Sequence, residues 1–145
     1  MSAEEKEITD FVAEILRDEG YRAKISSDDR IVTGTGGFKL FVIIYASGSL
    51  QFASFFTNFE EKRITPADAN EFHMKYRFTK LIVDDSDNSL TLLFDFRFDK
   101  DSADARGVIS WAMSKFDGAL REFRDFIFEG RDDQATAEPV VEEAS

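Results

Sequence analysis

The chain has 145 residues, 43% of them apolar, with 16 phenylalanines, no cysteine and a formal charge of −11. That length suits one packed core and is short for two, and the lack of cysteine excludes disulfides, thiol nucleophiles and cysteine-rich zinc sites. The acidity argues against nucleic acid and anionic lipid as partners, since both call for clustered Lys and Arg, and no apolar run reaches the roughly 20 residues of a bilayer span.

The opening residues MSAEEKEITD carry acids and no apolar leader, so a cytoplasmic protein of a bacterium or organelle is the expectation. Ser2 and Glu5 have the spacing of a capping box, and Ile8, Phe11, Val12, Ile15 and Leu16 then recur at helical intervals, predicting a helix over 3–19 with Gly20 as its stop. Short β-type segments follow at 21–25 and 30–35, split by the turn-rich Ser26-Ser27-Asp28-Asp29.

Residues 38–56, FKLFVIIYASGSLQFASFF, read as a hairpin turning at Ala46-Ser47-Gly48, with Gly48 in the left-handed conformation. That register sets Ile44 opposite Leu50, Val42 opposite Phe52 and Phe38 opposite Phe56, which makes one fully apolar face. The alternate row is oily too: Phe41, Ile43, Tyr45, Ala53 and Phe55, interrupted by Lys39, Ser49 and Gln51. Successive side chains of a strand point to opposite faces. Either helices cover both faces, or the second row is a docking surface.

Thr65-Pro66-Ala67-Asp68 is a helix start, with Thr65 as cap and proline in the first turn, and the helix runs to about residue 75. Segments 77–85 and 89–98 are strands joined by the turn Asp85-Ser86-Asp87-Asn88. In the second, Leu90, Leu92, Phe94, Phe96 and Phe98 share one parity, while Thr91, Asp95 and Arg97 suggest that the other face is wet. A last helix over 102–128 carries the stripe Ile109, Met113, Phe116, Leu120, Phe123 and Ile127, the spacing of a core-facing helix. From Glu129 onward the chain is acidic and poor in apolar residues, so the expected organisation is one domain at 3–128 and a disordered tail at 129–145.

Nothing in the sequence assembles a catalytic or metal site. His73 is the only histidine, so a zinc-binding histidine pair is excluded and no local motif supplies it with a nucleophile and an orienting group. Gly34, Gly36 and Gly37 lie between strands with no helix behind them to aim amides at a phosphate. The run Asp84 to Ser89 is rich in oxygen but lacks the glycine and glutamate positions of a calcium loop. A non-enzymatic protein without metal or cofactor is the expectation.

The order helix, strands, helix, two strands, helix describes an α+β fold on an antiparallel sheet. Within it, Leu50-Gln51-Phe52, Asn70-Glu71-Phe72-His73, Arg77-Phe78, the phenylalanine-rich strand and a terminal helix with Trp111, Phe116 and Phe123 resemble the bacterial YbjN domain. That family is described as proposed sensory transduction regulators with a fold similar to type III secretion chaperones. The resemblance covers about 4–128. Before the Arg-Phe pair the family reads Asn-x-Trp-Asn; here Phe72 stands for the tryptophan and His73 for the second asparagine, which keeps the apolar anchor.

The resemblance implies a structural role for Asn70, Phe72, His73, Arg77 and Phe78, a homodimer, and apolar surface offered to client segments. The reading that follows is a regulatory or chaperone-like module that docks an apolar segment of a partner protein on Phe41, Ile43, Tyr45, Ala53 and Phe55, its acidic surface disfavouring acidic partners. A small-ligand or lipid-binding domain with a phenylalanine-lined cavity is the alternative.

Overall fold

The first helix stops where glycine lets the chain turn back. In a computed structural model describing residues 3–35, 37–45 and 48–127, α1 spans Ala3–Asp18. Gly20 then takes a φ of 99°, so that the Tyr21 amide donates to the Leu16 carbonyl and the Gly20 amide to that of Arg17, each at 3.0 Å. This pair of hydrogen bonds closes the helix end on its last carbonyls. Ser2, Ala46 and Ser47, Phe128 at the end of the expected last helix, and the expected tail at 129–145 lie outside the described residues.

Four strands follow: β1 (Lys24–Ser27), β2 (Arg30–Thr35), β3 (Phe38–Ile44) and β4 (Ser49–Thr57). The first begins later than the sequence suggested, because Ser26 and Ser27 join the ladder through a bulge instead of the turn. The β3–β4 hairpin has the expected register, with Val42 opposite Phe52 and Ile44 opposite Leu50, and Gly48 at a φ of 87°.

After a short 3₁₀ turn (Glu60–Lys62), α2 (Pro66–Lys75) begins with the full capping box: the Asp68 amide donates to Thr65 Oγ1 and the Thr65 amide to Asp68 Oδ2. Two more strands, β5 (Lys80–Asp84) and β6 (Ser89–Arg97), precede α3 (Ala105–Asp125). The observed architecture is therefore α+β: the described residues form a six-stranded antiparallel sheet in the order β1-β2-β3-β4-β6-β5 with three α-helices.

The core lies between the helices and one face of this sheet. It joins Ile31, Leu40, Val42, Ile44, Leu50, Phe52, Leu90, Leu92 and Phe94 to Ile8, Val12, Ile15 and Leu16 of α1, Phe72 of α2 and the whole α3 stripe from Ile109 to Phe123. Each such side chain contributes roughly 1.5–3 kcal/mol through removal from water. The phenylalanines pack ring against ring, Phe52 on Phe96 and Phe116, and Phe72 on Tyr76, Phe123 and Phe126, with centroids 4.8–5.9 Å apart.

Two polar devices lock the periphery. Buried Asn58 brackets Ile64, its Nδ2 donating to the Ile64 carbonyl and its Oδ1 accepting from the Ile64 amide, both at 2.8 Å. His73 Nε2 accepts the Leu81 amide at 2.7 Å, so α2 caps the otherwise open edge of β5. No helix among the described residues is long and apolar enough to cross a membrane.

Candidate functional site

The face of the sheet turned away from the helices follows from the pairing register, since directly opposed residues share a side. Its central row runs Lys24, Val32, Phe41, Ala53, Leu93, Lys80 across all six strands. Beside it lie Arg30, Ile43, Gln51 and Asp95 on one flank and Phe55, Thr91 and Ile82 on the other. The row is four apolar residues wide with a lysine at each end.

All five sequence-predicted docking residues are on or beside this surface, in two classes. Ala53 and Ile43 are buried, as is Leu93, yet all three stand outside the main core cluster. Phe55 is 55% exposed and Tyr45 42%. Half-buried Phe41 joins the two classes, its ring 5.5 Å from that of Phe55, the diagonal cross-strand contact within reach of aromatic side chains. The floor is thus closed and apolar, and aromatic rings rise from it.

Sequence reasoning missed three contributors. Leu93 sits between Thr91 and Asp95, and its polar neighbours made the outward face of β6 read as wet; in place it lies opposite Ala53 and extends the apolar row. Val32, opposite Phe41, and Ile82, 43% exposed opposite Thr91, widen it further. Only the pairing order β4-β6-β5 brings Leu93 and Ile82 beside the hairpin. The polar strip across the face is self-satisfied: Gln51 Nε2 donates to Asp95 Oδ1 at 2.8 Å, and Tyr45 Oη donates to Gln51 Oε1 at 3.2 Å.

The residues of the Asn-Glu-Phe-His and Arg-Phe motif do not gather into one site. Phe72 is fully buried, His73 is half-buried against β5, and Asn70 and Arg77 are exposed. Phe78 is 60% exposed at a φ of 37°, a left-handed conformation that a bulky side chain rarely adopts. Its ring meets Trp111, itself 45% exposed, edge-on at 6.0 Å, with Lys115 Nζ 5.2 Å from the Phe78 centroid. Trp111 lies off the α3 core stripe, the one sign in the sequence of this second apolar patch. Among the described residues no three His, Asp or Glu side chains are grouped to hold a metal ion.

No protein-family model matches the chain, and no curated protein matches it in sequence. Solved structures do share its fold. YbjN, a proposed transcription regulator from E. coli, superposes with a TM-score of 0.58 at 11% identity, over 78% of this chain and 88% of that one. The HopA1–SchA chaperone–effector complex gives a TM-score of 0.60 at 11% identity, over 88% and 98%, and the ExsC–ExsE complex 0.55 at 9% identity, over 82% and 92%. The YbjN-like, secretion-chaperone-like fold expected from the sequence is the fold observed.

Proposed function

We propose that this chain is a non-enzymatic protein-binding module, a regulator or chaperone, that takes an apolar segment of a partner protein on the outer face of its sheet. The observation that carries this reading is the continuous apolar row Val32, Phe41, Ala53 and Leu93 with Phe55 and Tyr45 beside it, on a face that no helix among the described residues covers. A contiguous apolar surface with aromatic anchors is the composition of an interface centre. The complexes among proteins of the same fold support a protein partner. The close ring-to-ring packing of the core phenylalanines favours this reading over a ligand cavity inside the domain. Any homodimer, in this reading, pairs elsewhere, through the exposed Phe78 and Trp111, and light scattering on Trp111→Glu checks it.

Photocrosslinking from position 55 in the native cell, with position 74 on exposed Met74 as control, tests the proposal. A discrete crosslinked protein at 55, absent from 74 and lost in Phe41→Glu, is expected. A small molecule copurifying on native mass spectrometry with no crosslink at 55 would sink it.

A further inference from the structure

The local charge of the outer face is opposite to that of the chain. Five exposed bases lie on it, Lys24, Arg30, Lys39, Lys80 and Arg97, against the two acids Asp84 and Asp95. In a chain of 29 acids and 18 bases, a base readily finds a carboxylate, and elsewhere many do. Lys6 pairs with Asp10, Arg63 with Asp85, Lys75 with Glu71, Lys100 with Glu7, Arg106 with Asp18 and Arg121 with Asp117. None of the five on the outer face forms an ion pair among the described residues. Asp95, two positions from Arg97 on the same strand, is engaged by Gln51.

We infer that the segment docked here is acidic as well as apolar: a short stretch of a partner protein with apolar residues at its centre and Asp or Glu on both flanks. The inference rests on the proposed docking role of this face and revises the expectation that acidic partners are disfavoured. The central row sets the pattern, with Lys24 and Lys80 ending a line whose middle is Val32, Phe41, Ala53 and Leu93. Five inter-strand spacings of about 4.8 Å separate the two lysines by roughly 24 Å. An extended segment of about seven residues at ~3.3 Å each crosses that distance.

Charge also discriminates among occupants. A second copy meeting this face with its own would bring bases against bases, the juxtaposition that interfaces avoid. An anionic bilayer or a nucleic acid presents dense charge over an area larger than the face, and the chain's remaining acids oppose that approach. A short segment carries only a few charges and meets the basic rim alone.

Fluorescence anisotropy on the intact protein tests this with two labelled synthetic peptides sharing a Val-Phe-Ile-Val centre, one flanked by paired glutamates and one by paired lysines. The acid-flanked peptide is expected to bind at least tenfold more tightly, to weaken with added salt, and to lose affinity by about three- to tenfold in Lys24→Glu/Lys80→Glu with the circular dichroism unchanged. Equal binding of both peptides, lost together in Phe55→Glu, would leave the docking face standing and overturn its acidic specificity. Binding that Phe55→Glu does not alter would remove the docking face itself. Competition by phosphatidylserine vesicles or oligouridine with the same Phe55 dependence would assign the face to lipid or RNA instead. A dimer dissociated by Phe55→Glu in light scattering would assign it to a second copy. A tenfold gain for the acid-flanked peptide in the full-length Glu138→Gln/Glu142→Gln/Glu143→Gln variant would make the chain's own tail the occupant. Each of these last three results overturns the assignment.

Discussion

The inner and outer faces of β3 are built from nearly the same residue types and sit in different surroundings. Leu40, Val42 and Ile44 point inward and have essentially no exposed surface, held under α1 and the α3 stripe. Phe41 and Tyr45, interleaved with them, point outward and keep contact with solvent. Apolar character alone therefore does not say which row is core. A row becomes core when another element is laid over it, and among the described residues the helices are laid over only one.

Charging adjacent residues of one strand separates the two faces most strongly. Val42→Asp buries a carboxylate without a partner, which costs several kcal/mol and is expected to unfold the chain by circular dichroism. Phe41→Glu is expected to remain folded and to lose partner binding. If both unfold equally, the outer row is structural and the docking face falls.

Truncation gives the next largest contrast. Phe52→Ala leaves a cavity against Phe96 and Phe116 and is expected to cost about 3–5 kcal/mol in chemical denaturation. Phe55→Ala, three residues along the same strand on the other face, is expected to cost under about 1 kcal/mol. Equal losses would mean that Phe55 is covered in solution.

The inner face also buries two hydroxyls. Ser54 is fully buried and donates to the Lys39 carbonyl at 2.8 Å. Ser54→Ala removes that bond and is expected to destabilise by about 1 kcal/mol. Thr33 is buried on the same face, with no hydrogen-bond partner for its Oγ1. Thr33→Val is expected to change stability least, or to raise it by up to about 1 kcal/mol, because a desolvated group without a partner is removed at nearly constant shape. A thermal melt showing Thr33→Val less stable than Ser54→Ala would point to a bond the geometry lacks.

Local pattern was enough for much of the molecule. Helical spacing in Ile8 to Leu16 and in Ile109 to Phe123, the Thr65-Pro66 start, the glycine stops and the parity of Leu90 to Phe98 each depend on neighbours a few residues away, and all of them are present as read. The hairpin register follows from its loop for the same reason, and with it both rows of residues 38–56 and the place of the five proposed docking residues on the outward one. What the sequence could not show was which strands lie side by side. That β6 enters between β4 and β5 is decided by long-range pairing, and it alone sets Leu93 beside Ala53 and Ile82 two strands from Phe55. The basic rim was hidden for the same reason: Lys24, Lys39 and Lys80 are far apart in the chain and each looks like an ordinary surface lysine, while the overall charge pointed the other way. Side-chain direction is a local property of a strand; a surface is the product of strands brought together, and only the folded sheet brings these together.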